Sequence, residues 1–192
     1  LDSDTTNDRD ELTSRAKFSW QVKENWSLNL SLASIDIDNG YDAFSLDNNR
    51  HTLSDEPGFD RQNSAYVSLK SNWRLDEMHI EVLWNQSGSD LDYGYDEDWS
   101  FTGIHPFGYT STDHYFRKRD TTSAEIRLLS NEPGRVFADT TDWIVGFYYL
   151  SSSEALQRQY TFLPSDFLSD YEFDTLAIFT ELDIAFSDRM TL

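Results

Sequence analysis

The feature that most constrains this chain is a hydrophobic alternation with a period of two, repeated in paired runs. Ala16, Phe18, Trp20 and Val22 alternate with Lys17, Ser19, Gln21 and Lys23. After Glu24-Asn25, Trp26, Leu28, Leu30 and Leu32 alternate with Ser27, Asn29 and Ser31. Two half-polar runs joined by so short a turn form an antiparallel hairpin. The unit recurs with Val67, Leu69 and Trp73, a turn at Arg74 to Glu77, then Met78, Ile80, Val82 and Trp84. A third pair is Ala124-Ile126-Leu128 and Trp143-Val145-Phe147-Tyr149, linked through Asn131-Glu132-Pro133-Gly134. A fourth opens with Leu176, Ile178, Thr180, Leu182, Ile184 and Phe186 and turns at Ser187-Asp188-Arg189. The expectation is an all-β, antiparallel up-and-down meander of about eight strands.

Connection lengths sharpen this. Links on one side are short: Glu24-Asn25, Arg74 to Glu77, Ser187 to Arg189, and the somewhat longer Ser130 to Thr140. Links on the other side are long: Ile37 to Asn63, Gly88 to Arg119 and Ser151 to Phe173. Structureless links beyond about 12–15 residues are uncommon in compact domains. Here they fall on alternate connections and emerge at one end of the sheet, the asymmetry of outer-membrane barrels. Trp20, Trp26, Trp73 and Trp84 lie near the ends of their apolar faces, where aromatic girdles meet headgroups. On this reading Lys17, Lys70, His79, Glu81, Glu125, Arg127, Glu181 and Asp183 line the lumen. The alternative is a soluble or secreted β-sandwich, such as a carbohydrate-binding module with acidic, calcium-binding loops. A sandwich packs the apolar faces of two sheets together, whereas a barrel leaves one apolar band outside.

Composition bounds the function. The 192 residues carry a formal net charge of -20, which repels nucleic acid. Six Trp, ten Tyr and thirteen Phe argue against the disorder that such acidity suggests. No apolar run reaches the roughly 20 residues of a membrane-spanning helix. With no cysteine, disulfides, thiolate zinc sites and thiol catalysis are excluded. The first residue is Leu1, with no basic and apolar leader behind it, and the last alternation breaks off at Met190-Thr191-Leu192. The chain therefore reads as a segment of a longer protein.

Three stretches carry a family resemblance. Tyr41-Asp42-Ala43-Phe44-Ser45-Leu46-Asp47-Asn48-Asn49-Arg50, with Thr52 to Gly58 after it, resembles a loop of proteobacterial TonB-dependent outer-membrane receptors. Ser123 to Ser130 with Asp142 to Tyr149, and Leu176 to Asp183 with Phe186 to Leu192, resemble that family's barrel. The resemblance implies that residues 1–192 are part of a plugged barrel of about 22 strands, without the plug domain and without the C-terminal end of the barrel. It implies a bacterial outer membrane, contact with its lipid and lipopolysaccharide, and uptake of a scarce ligand. A ferric siderophore is the foremost ligand, with vitamins or glycans as others. TonB itself is reached only through the absent N-terminal parts, and no cofactor is implied.

No catalytic constellation emerges. Asp36-Ile37-Asp38-Asn39-Gly40 lacks the acidic residue that a calcium loop places five before the glycine, since Ile35 stands there. Asp90, Asp92, Asp96, Glu97 and Asp98 read as a solvated cluster. His51, His79, His105 and His114 are scattered, and neither a nucleophile elbow nor a phosphate loop is present. No enzyme and no metal site are expected. The long Gly88 to Arg119 link instead supplies ligand-contact candidates: Tyr93, Tyr95, Trp99, Phe101, Tyr109, Tyr115, Arg117 and Arg119. Phe107 and Phe116 add to its aromatic content. Such rings offer contact area with a polar handle, and the basic run Arg117-Lys118-Arg119 suits an anionic ligand or the phosphates of lipopolysaccharide.

Overall fold

The computed structural model describes residues 7–41, 44–49, 51–104, 108–187 and 190–191. Eight strands follow one another: β1 (Glu11–Lys23), β2 (Trp26–Gly40), β3 (Phe59–Arg74), β4 (Met78–Asp96), β5 (Thr112–Ser130), β6 (Thr141–Tyr160), β7 (Phe167–Ser187) and the short β8 (Met190–Thr191). Each pairs antiparallel with the next in the order β1-β2-β3-β4-β5-β6-β7-β8, a meander without crossovers. No α-helix occurs among the described residues; a 3-10 turn at Glu132–Gly134 lies in the β5–β6 link. The first and last strands do not meet, so the sheet is open among the described residues.

Register decides which residues share a face. From β2 to β7 the ladder runs without a shift, so each side chain keeps its side from end to end. Near the short turns, one face carries Phe18 and Trp20 of β1, Trp26 to Leu32 of β2, Val67 to Trp73 of β3 and Ile80 to Trp84 of β4. It continues through Ile126, Val145, Phe147, Ile178 and Leu182. These side chains form one apolar band across the whole sheet. Trp26 and Trp73 close its lower edge, their rings edge to face at 5.8 Å. Lys17, Lys70, His79, Glu81, Glu125, Arg127, Glu181 and Asp183 all fall on the opposite face.

The sheet is a single layer. No hydrophobic residue among those described is buried, and Leu69, Ile126, Ile178 and Leu182 are exposed. A sandwich would have covered this band with a second sheet, and the described residues contain none.

The strands exceed the expected length. Gly88–Asp96 and Thr112–Arg119, read from the sequence as loop, are strand. So are Ser151–Tyr160 and Phe167–Phe173. The true links at that end are 41–58, 97–111 and 161–166, against 24–25, 75–77 and 131–140 at the other. Asp188 and Arg189 of the last turn lie outside the described residues. With 21 residues, β7 runs about 70 Å along its axis, well beyond the roughly 10 residues that cross a bilayer.

Above the band the alternation changes phase without a bulge. The banded face turns acidic, with Asp36, Asp38, Asp90, Asp92, Asp120, Asp170, Glu172 and Asp174. The apolar residues move to the other face as Ile35, Ile37, Leu91, Tyr93, Tyr95, Leu156, Tyr171 and Phe173.

Candidate ligand cleft on the polar face

The polar face is layered from the short turns upward. Lowest are charged rungs, with Lys70 Nζ 3.0 Å from Glu81 and Arg127 paired with Glu125. A hydroxyl and amide belt follows: Tyr66 donates to Asn85 at 3.0 Å, Asn85 Nδ2 donates to Ser123 Oγ at 3.2 Å, and Ser64 donates to Ser89 at 2.8 Å. Next is the Arg119–Glu154 pair between β5 and β6. Above it the phase change brings aromatics inward.

There Leu91, Tyr93 and Tyr95 of β4 stand opposite Arg117, Tyr115 and Asp113 of β5. Of these, all but Asp113 line a cleft of about 610 Å³, together with Asp92, with Phe44 and Trp99 from the two long links, and with Asp60 and Arg61 of β3. That size suits a small molecule. The rings support one another: Phe44 stacks on Trp99 at 4.7 Å, Tyr41 meets Tyr93 at 5.0 Å, and Tyr93 lies 5.6 Å from Tyr95.

One wall is fixed by a charge pair. Arg158 of β6 donates from Nε and Nη2 to the two oxygens of Asp113, at 2.8 and 2.6 Å. Its guanidinium also lies 5.2 Å from the Tyr115 ring and 5.0 Å from the Tyr160 ring, a cation–π arrangement on both sides. Asp113 is only 2% exposed. Burial pushes its carboxyl up, but hydrogen bonds from Arg158 and Tyr115 outweigh this and leave it below the usual range. Burial raises the hydroxyls of Tyr93, Tyr95 and Tyr115, and Asp113 raises the last two further. These rings therefore act as neutral surfaces and hydrogen-bond donors.

Of the eight sequence candidates, Tyr93, Tyr95, Trp99, Tyr115 and Arg117 line this cleft. Tyr93, Tyr95, Tyr115 and Arg117 do so from strands, not from a loop. Arg117 lies over the Tyr115 ring at 5.9 Å. Phe101 is exposed, Tyr109 packs on Phe162 with centroids 5.9 Å apart, and Arg119 is engaged by Glu154. The basic run is split by the pleat, with Lys118 on the acidic face and its neighbours on the other. Phe107 and His105 lie outside the described residues, as do Asp42, Ala43 and Arg50 of the loop stretch.

Sequence reasoning missed Tyr41, Phe44, Arg158 and Tyr160. Arg158 and Tyr160 keep the period of Tyr148 and Leu150, a signal hidden by reading Ser151 onward as a link. The two acidic segments divide. Asp36–Gly40 is strand, and Asp38 pairs with Arg61. Among the described residues no group of three or more His, Asp or Glu side chains is placed to hold a metal ion.

Compared with known proteins, the chain matches no family model, no curated protein and no solved structure.

Proposed function

We propose that this chain forms part of the wall of an outer-membrane barrel of the TonB-dependent receptor type, and that the aromatic cleft contacts the small ligand being imported. The observation carrying this reading is the continuous apolar band on one face of an open, single-layered sheet. In water such a band is a liability, while against lipid each aliphatic side chain contributes on the order of 1.5–3 kcal/mol. The opposite face then lines the lumen, where the charged rungs meet water or a plug.

The cleft lies above the band on the lumen side, at the end where the long links emerge. Aromatic faces beside the guanidinium groups of Arg61 and Arg117 and the carboxylates of Asp60 and Asp92 suit a flat ligand with polar groups of both signs at its rim, a ferric siderophore being the foremost case. The segment performs no bond chemistry. Its outer contacts are membrane lipid and lipopolysaccharide, and energy reaches it from TonB through parts of the protein that precede it.

The test is quenching of single-tryptophan variants in vesicles whose acyl chains carry bromine. Trp73 and Trp84 are quenched on this reading, while Trp99 is not. A chain that is folded and monodisperse in plain buffer, with no tryptophan quenched, refutes the membrane assignment.

A further inference from the structure

The two long links next to the cleft are fastened by one side chain. The Asp96 carboxylate, at the end of β4, is 3% exposed. Its Oδ2 accepts the backbone N–H of Asp55, in the 41–58 link, at 3.1 Å. Its Oδ1 accepts the N–H groups of Asp98 and Trp99, in the 97–111 link, both at 3.2 Å. A further tie between the links runs from Asp55 N–H to the Ser100 carbonyl at 3.2 Å. Trp99 has a left-handed backbone, φ 56°, which a bulky residue adopts only when its surroundings impose it. Its N–H is one of the three that Asp96 holds, and its ring forms a wall of the cleft against Phe44.

We propose that Asp96 is a positioning residue that fastens the 41–58 and 97–111 links to each other and sets Trp99 over the cleft, and that a proton makes and releases this fastening. The charges around it explain why. Asp98, 7% exposed, shares its turn and hydrogen-bonds with it, and its own oxygens also accept from Ser100 at 2.6 Å and from the Ser111 N–H at 2.9 Å. Glu97 accepts from Ser111 at 2.6 Å. From the other link come Ser54 and Asp55, with Thr110 donating to Asp55 at 3.5 Å. Tyr95 belongs to the same strand, Thr112 and Asp113 come from β5, and His114 stands opposite Gly94. The nearby guanidinium of Arg158 is committed to Asp113.

Two carboxylates buried in one turn cannot both stay ionised cheaply. A proton shared between Asp96 and Asp98 removes the repulsion and leaves lone pairs for the three N–H groups. Burial first, and Asp98 second, push the Asp96 carboxyl up to about 6. The sign follows: the fastened state holds its proton more tightly than the open one, so fastening is strongest in acid. It weakens as pH rises from about 4 toward 6 and stays weak above. A gap of about two pH units corresponds to about a hundredfold change in the ratio of fastened to open links.

The idea rests on the proposed function only in treating the cleft as a ligand site, and its test needs no ligand. Fluorotryptophan is incorporated into the protein in lipid vesicles, and the Trp99 ¹⁹F resonance is assigned with Trp99→Phe. The expected result is a sharp Trp99 signal near pH 4 that shifts or broadens by about pH 7, with a midpoint between about 4 and 6. The isosteric Asp96→Asn keeps the acid signature at both pH values, and Asp96→Ala shows the alkaline one at both. The Trp26 and Trp73 resonances stay constant and report that the sheet is intact. A Trp99 signal independent of pH in the unaltered protein overturns the proposal, as does an unchanged titration in Asp96→Asn. Either result leaves the cleft reading standing, whereas failure of the bromolipid test leaves this titration intact.

Discussion

Leu69 offers the most direct test of what the apolar band faces. It projects from β3 between Leu30 of β2 and Trp84 of β4, at 39% exposure. It stands four residues above Trp73 of the lower girdle, about 13 Å along the strand and about 10 Å in height after a tilt of about 40°. That is close to the middle of a band about 25 Å tall. Replacement by arginine then places a charge near the bilayer midplane, at a cost of about 2–4 kcal/mol. Two companion changes isolate the cause. Ser68→Arg, one residue away on the polar face, and Asn63→Arg, on the banded face but above the band, each cost about 0–1 kcal/mol. The assay is urea unfolding of the protein in phospholipid vesicles, followed by intrinsic fluorescence. On a surface bathed in water, Leu69→Arg changes stability by about 0.5 kcal/mol or less. Equal costs at 68 and 69, or an Asn63→Arg cost matching that of Leu69→Arg, refute the assignment of the band to lipid.

Two further predictions concern the polar face. At Gly146 of β6, any Cβ would enter the ring of Phe179 on β7, so Gly146→Val costs about 1–3 kcal/mol. Truncation in the double variant with Phe179→Ala recovers most of it in the same urea assay, and absence of rescue contradicts the packing described. Removing the partner of buried Asp113 with Arg158→Met destabilises the upper parts of β5 and β6, because it leaves the Asp113 carboxylate buried and unpaired. Because the Asp113 carboxyl is held below its usual range, its pair contributes fully above about pH 4 and is lost as pH falls through the lower folded value. Amide protection factors in the upper parts of β5 and β6, taken relative to the intrinsic exchange rate at each pH, therefore fall in acid. Asp113→Asn abolishes that acid response, and persistence of the response points to another carboxylate.

The lower half of the sheet was legible because one rule governs it. From Trp26 to Leu32 and from Met78 to Trp84 every second residue is apolar, so the period names both the strand and its face. The same parity put Lys70, Glu81, Glu125 and Arg127 on one face, but the pairs Lys70–Glu81 and Glu125–Arg127 were visible only in the structure. The upper half was not legible in that way. Asp90 and Asp92 alternate with Leu91 and Tyr93 as regularly as Ile80 and Val82 do with His79 and Glu81, but with polarity exchanged between the faces. That reversal reads as the end of a strand, and Arg158 and Asp113 were lost with it.

Sequence alone determined an antiparallel meander with a two-sided pattern, because side-chain parity is a local consequence of the extended backbone. Only the tertiary structure decided how far each strand runs and what meets above the band. Ladder hydrogen bonds do not depend on hydropathy, so pairing carries β4, β5 and β6 past the point where the apolar signal changes sides. The cleft is likewise nonlocal. Phe44, Trp99 and Tyr115 come from two separate links and a strand, and the closed distances between them are set by register and by the hydrogen bonds of Asp96.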